Sequence, residues 1–160
     1  MRKFLVLGHA RHGKDTVAEY LAKELGLSYK GSSEVCAEFI FKELAGYKSV
    51  QECFEDRSNH RVEWFQIITD YCRTDKARLG RLIYETNDIY SGVRAKDELD
   101  AVIEEFSPFV IWVDAAFRLP LESNKSMQLL PYADYRYIDN NKDEEHLYKQ
   151  LDKLIGDLNG

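Results

Sequence analysis

Phe4-Leu5-Val6-Leu7 runs apolar without a polar break, and Phe109-Val110-Ile111-Trp112-Val113 repeats the pattern with β-branched and aromatic residues. Continuous runs of this length fit strands buried on both faces. Shorter runs at residues 27–30, 88–90 and 135–138 add three candidate strands, with the first spanning 3–7 and the fourth 109–113. Between them apolar residues recur at helical spacing. Helices are expected over 14–24, ended by Gly26, and over 34–44, where Val35, Cys36, Phe39, Ile40 and Leu44 share one face. Two more are expected within 61–85, broken near Arg73-Thr74-Asp75, followed by 96–106 and a closing amphipathic helix over 144–158. Strands alternating with helices predict an α/β fold: a central parallel sheet of about five strands, helices on both faces, in three layers. Ligands in such sheets bind beyond the carboxyl ends of the strands. Those ends carry Gly8, Ser32, Gly92 and Asp114.

The first strand runs into Gly8-His9-Ala10-Arg11-His12-Gly13-Lys14-Asp15-Thr16 and then a helix. Strand, glycine-bounded loop, lysine and helix make the arrangement of a phosphate-binding loop, in which backbone N–H groups and a helix N-terminus converge on one anion. A nucleoside triphosphate is the expected occupant, held by Gly8, Arg11, His12, Gly13, Lys14, Asp15 and Thr16. Asp15 stands where the usual pattern has a hydroxyl, and Thr16 comes one place later. His9 and His12 are expected to solvate the loop rather than to catalyse.

Gly-Lys-Asp-Thr resembles the phosphate loop of phage-type deoxynucleoside monophosphate kinases, and is similar to that of phosphomevalonate kinases and, more distantly, adenylate and dephospho-CoA kinases. The resemblance implies a P-loop nucleotide-kinase-like fold in one domain, 1–160, with an acceptor-binding helical part at about 31–85 and a short lid at about 117–131. It makes the order Asp15-Thr16 expected, and it implies phage origin.

Phosphoryl transfer needs cations aimed at both donor and acceptor. Lys14 serves the donor. Guanidinium forks bind phosphate oxygens in pairs, so Arg61, Arg73 and Arg94 are the acceptor candidates. On a continuous helix Thr69 and Arg73 share a face, with Arg61 roughly 80° from Thr69. Arg94 ends a strand and opens a helix, so it points into the ligand crevice. Arg61, Thr69 and Arg73 also look like the acceptor helix of the kinase group, although Gln66 is displaced by one place and Ile68 replaces a glycine. Gly92-Val93-Arg94 through Glu98 is similar to the group's Asp-Val-Arg-x-x-x-Glu, with Gly92 in place of the aspartate. Ser32 and Ser33 join the acceptor side. The resemblance further implies that Arg118 belongs to a lid closing over the triphosphate, and that Asn140, in the turn Asp139-Asn140-Asn141, lies beside the adenine. Asp15 and Asp114 are the candidates for direct or water-mediated Mg²⁺ contact. Trp64 and Phe65, among the acceptor-side arginines, are candidates to stack on a base, with core packing as their other use.

Of 160 residues, 44% are apolar and 31% charged, which suits one soluble domain with a full core. A net charge of −6 argues against duplex nucleic acid as the main partner and leaves small-molecule nucleotides. Cys36, Cys53 and Cys72 form no metal-type pair and fit free thiols in a reducing cytoplasm, the host's if the chain is phage-encoded. The basic start Met1-Arg2-Lys3 is followed by too short an apolar run for a signal peptide or membrane span, so no membrane partner is expected. A homodimer stays open. The reading is an ATP- and Mg²⁺-dependent kinase acting on a nucleoside or deoxynucleoside monophosphate, with Lys14, Arg94 and Arg118 as catalytic residues. Two alternatives stay open: a P-loop kinase for another small phosphorylated acceptor, and a nucleotide-binding regulatory module without transfer activity.

Overall fold

A computed structural model describes residues 2–123 and 125–160; Met1, at the basic start, and Asn124, within the expected lid, lie outside the described residues. The chain is an α/β protein whose parallel sheet has four strands: β1 (Phe4–Leu7), β2 (Ile89–Ser91), β3 (Phe109–Asp114) and β4 (Arg136–Asp139), in spatial order β2-β1-β3-β4. β1 pairs with both β2 and β3, with Phe4 opposite Ile89 on one side and Phe109 on the other. Its central position explains the unbroken apolar run.

Alternate side chains of the sheet enter two cores. Phe4, Val6, Ile111, Val113 and Ile138 pack against α1 (Lys14–Leu25) and α7 (Glu144–Asn159), which also meet through stacked Tyr20 and Tyr148. Leu5, Leu7, Tyr90 and Trp112 face the other layer, built from α2 (Ser32–Glu43), α3 (Val50–Glu55), α4 (Arg61–Tyr71), α5 (Arg78–Thr86) and α6 (Lys96–Phe106).

The expected fifth strand is corrected. Leu27, Ser28, Tyr29 and Lys30 are irregular, although Asp88 N–H donates to Ser28 O at 2.8 Å beside β2. One backbone bond is no ladder, because Leu27 and Tyr29 turn toward the α1/α7 core and the Tyr29 hydroxyl is taken by Asp15 and Ser91. Residues 50–60, which the periodicity above does not assign, form α3 and a 3₁₀ turn at Arg57–His60. α3 carries a capping signal that the apolar pattern overlooks: Ser49 accepts from Glu52 N–H, and the Glu52 carboxylate accepts from Lys48 N–H. The break between α4 and α5 falls at 72–77, as Arg73-Thr74-Asp75 predicts. Among the described residues no helix is long and apolar enough to cross a membrane.

Candidate functional site

Because every strand is parallel, the segments after all four open on one edge of the sheet. They are the loop 8–13, Gly92 to Arg94, Ala115 to Arg118 and Asn140-Asn141. The site is assembled from these four chain segments and from residues 119–122, which fold back over the loop.

The loop turns in left-handed backbone. Arg11 has φ +67° and Gly13, which caps α1, has φ +109°. No side chain caps α1, so its first-turn N–H groups and its dipole face the loop. Lys14 Nζ donates to Gly8 O at 2.7 Å and His9 O at 3.2 Å, folded against the loop backbone. Burial, then the Arg94 charge, lowers the Lys14 ammonium to about 8.

The expectation that His12 solvates the loop is corrected. Its ring is fully buried. His12 Nδ1 accepts from Ala115 N–H at 3.0 Å, which leaves Nε2–H to donate to Pro120 O at 3.1 Å. The imidazole thereby joins the loop to the end of β3 and to the segment at 117–131. Asn140, expected beside an adenine, is 8% exposed, and its amide donates to His12 O at 2.8 Å. Arg118 Nε donates to Asn140 O at 2.7 Å, and Phe117 N–H donates to Asn141 Oδ1 at 2.8 Å. His9, half-buried beside His12, accepts the N–H of Glu122 on Nδ1 at 3.0 Å. Burial and the neighbouring His12 hold its titration below the ordinary histidine value.

Glu122 is the feature that the sequence reading missed. Its Oε2 accepts from Ala10 N–H in the loop at 3.0 Å, and its Oε1 accepts from Arg94 Nε at 3.1 Å. Burial pushes this carboxyl up, but the Arg94 bond and charge, Ala10 N–H and Lys14 outweigh it, and the group stays below the usual range. The available signal was a single acid directly after the apolar Leu119-Pro120-Leu121.

The two candidate metal carboxylates lie on different sides of the loop. Asp15 is exposed, and its Oδ1 accepts from the Tyr29 hydroxyl at 2.7 Å; that hydroxyl also meets Ser91 Oγ at 2.8 Å. Asp114 accepts from Ala116 N–H and from the Tyr137 hydroxyl, and burial is outweighed by these bonds so that its carboxyl stays low. Among the described residues no cluster of three metal-type side chains exists.

Of the residues expected to bind an acceptor, Ser32 lies against the end of β2: a Cβ on Gly92 would stand 2.7 Å from Ser32 Oγ. Gly92 has φ +110°, and Arg94 Nη1 reaches back to its carbonyl at 3.4 Å. Arg61, Thr69 and Arg73 fall on the exposed face of α4 and just beyond it, where Arg73 pairs with Asp70. No contact links these three to the loop among the described bonds. Trp64 is in the core at 6% exposure, whereas Phe65 is 71% exposed.

No protein-family model and no curated protein sequence matches this chain. Among solved structures, a sugar kinase from Janibacter sp. HTCC2649, determined without ligand, aligns at 16% identity over 96% of this chain and 94% of that chain, with a TM-score of 0.48. A likeness at that level carries no weight for function.

Proposed function

We propose that the chain is a phosphotransferase that uses a nucleoside triphosphate with Mg²⁺ as donor and a nucleoside or deoxynucleoside monophosphate as acceptor. One observation carries the reading: the uncapped N-terminus of α1, Lys14 and the Arg94 guanidinium converge at one sheet edge, where a carboxylate already spans Ala10 N–H and Arg94. Donors that hold one anion at a loop and an arginine suit a phosphoryl group passing between them. The acidic surface is compatible with this, because a small phosphorylated ligand needs only a basic pocket.

In this reading the loop N–H groups and Lys14 hold the donor phosphates. Arg94 neutralises the transferred group or the acceptor phosphate, with Ser32 beside it. Arg118 and Asn140 fix the loop end against the segment at 117–131. Arg61, Thr69, Arg73 and Ser33 complete the acceptor side. The donor set of Asp15 and Thr16, oxygens on the exposed first turn of α1, suits a hard cation that keeps several waters, and Asp114, on the other side of the loop, would reach such a cation only through those waters. Bound there, Mg²⁺ would neutralise charge on the triphosphate.

An ADP-release assay with ATP and Mg²⁺ against every common NMP and dNMP tests the reading. Turnover with at least one monophosphate is expected. Lys14→Ala should weaken triphosphate binding, and Arg94→Ala should lower turnover chiefly through the acceptor. The rival reading, a nucleotide-binding module, is favoured by Gly92 standing where a strand-end carboxylate is expected. ATP binding without ADP release for any acceptor would establish that rival.

A further inference from the structure

The loop carries an anion of its own. Glu122 places one carboxylate oxygen on a loop N–H at 3.0 Å and the other on the Arg94 guanidinium at 3.1 Å, with Lys14 close enough to lower its titration. A phosphoryl group approaching the same donors would meet the same geometry: two acceptor oxygens, one toward backbone N–H, one toward a guanidinium. The Glu122 side chain is 17% exposed and that of Arg94 39%, so this ion pair is partly withdrawn from water.

The surrounding contacts hold the carboxylate in place. Glu122 N–H donates to His9 Nδ1 at 3.0 Å, and two residues earlier Pro120 O accepts from His12 Nε2 at 3.1 Å. Beyond Glu122, Gln128 N–H donates to Arg94 O at 3.0 Å, and Gln128 Oε1 accepts from Lys96 N–H at 3.1 Å. Pro120 and Glu122 are therefore tied to the loop and Gln128 to the Arg94 turn.

We infer that Glu122 is an internal phosphoryl mimic: its carboxylate occupies the position that a substrate phosphate must take, and a nucleotide binds only by displacing it. The inference rests on the reading of the loop as a phosphoryl site. Ala10 N–H and Arg94 Nε–H are single donors, each already given to a Glu122 oxygen, so a phosphate oxygen that takes either one must displace the carboxylate from it. The acid keeps the cationic site neutralised and the loop ordered when no ligand is present. Apparent affinity is reduced by the fraction of molecules in which the carboxylate is seated.

Calorimetric titration with inorganic tripolyphosphate, using the full chain and the variants Glu122→Gln and Glu122→Asp, tests this. Glu122→Asp keeps the charge but shortens the arm that spans the two donors. Both variants are expected to bind tripolyphosphate on the order of tenfold more tightly than the parent, the scale of a charge-assisted pair lost from the free state. Amide exchange over residues 119–122 should quicken in the parent when tripolyphosphate is added. If Glu122→Gln tightens binding while Glu122→Asp matches the parent, simple repulsion explains the effect and the mimic is wrong. Slower exchange on binding would also overturn it, since the segment would then be closing on the anion. If no form binds tripolyphosphate, the phosphoryl-site reading fails as well.

Discussion

Asn140 and Gly13 exclude any side chain between them. The Asn140 amide reaches His12 O at 2.8 Å, and a Cβ built on Gly13 would overlap that same amide nitrogen. Gly13 also has φ +109°, which L side chains rarely adopt. Gly13→Ala is therefore expected to destabilise the fold by ~1–3 kcal/mol from backbone strain, before the displaced amide is counted. Urea denaturation measures this. A loss below ~0.5 kcal/mol would mean that the loop relaxes freely around position 13.

His12 is the hub of the loop, and its removal strands two partners. His12→Ala leaves Ala115 N–H without its imidazole bond in a buried place, and Pro120 O, on an exposed residue, without its own. The expected cost is about 2–4 kcal/mol, from ~1–3 kcal/mol per orphaned group with partial relief by water. Amide exchange at Ala115 should rise more than at the centre of β3. Unchanged protection at Ala115 would show that the imidazole does not hold this junction.

Gly92 stands where the sequence reading expects an aspartate, and its backbone suits a glycine. With φ +110° and Ser32 Oγ 2.7 Å from a built Cβ, an acid there is strained and crowded. Gly92→Asp is expected to lower stability by ~1–3 kcal/mol and to give no gain in Mg²⁺-dependent turnover. A variant both stable and more active would refute this account of the position.

Glu98 supplies a pH dependence outside the loop. Burial pushes its carboxyl up from 4.5 to about 7, although the Tyr90 hydroxyl at 3.2 Å favours the ionised form. The folded state thus keeps a proton that the unfolded chain releases. This contribution to stability is fully present below 4.5 and is lost as pH rises through about 7. Glu98→Gln, which cannot ionise, should flatten the fall in melting temperature between about pH 5 and about pH 8. Parallel curves for the two proteins would show that Glu98 titrates normally.

Much of this architecture was legible along the chain. The runs at Phe4 and Phe109 became β1 and β3 because burial on both faces leaves no room for alternation. The helices at 96–106 and 144–158 follow apolar spacing almost to the residue. Residues 27–30 have strand-like composition, yet pairing needs a partner ladder, and composition does not report one. The Ser49–Glu52 cap was visible but local, and its helix is short.

The site divides in the same way. Sequence alone determined that a glycine-bounded loop with Lys14 follows a buried strand and precedes a helix, and that Arg94 follows another, because strand, loop and helix signals are local and parallel sheets gather strand ends at one edge. Only the tertiary structure decided what the charged and polar residues do there. His12 passes from solvated to buried, Asn140 turns its amide onto the loop, and Glu122, 112 positions after Ala10, places its carboxylate on that residue's N–H. A hydrogen bond depends on where two atoms end up in space, and no spacing along the chain encodes a contact across such a separation.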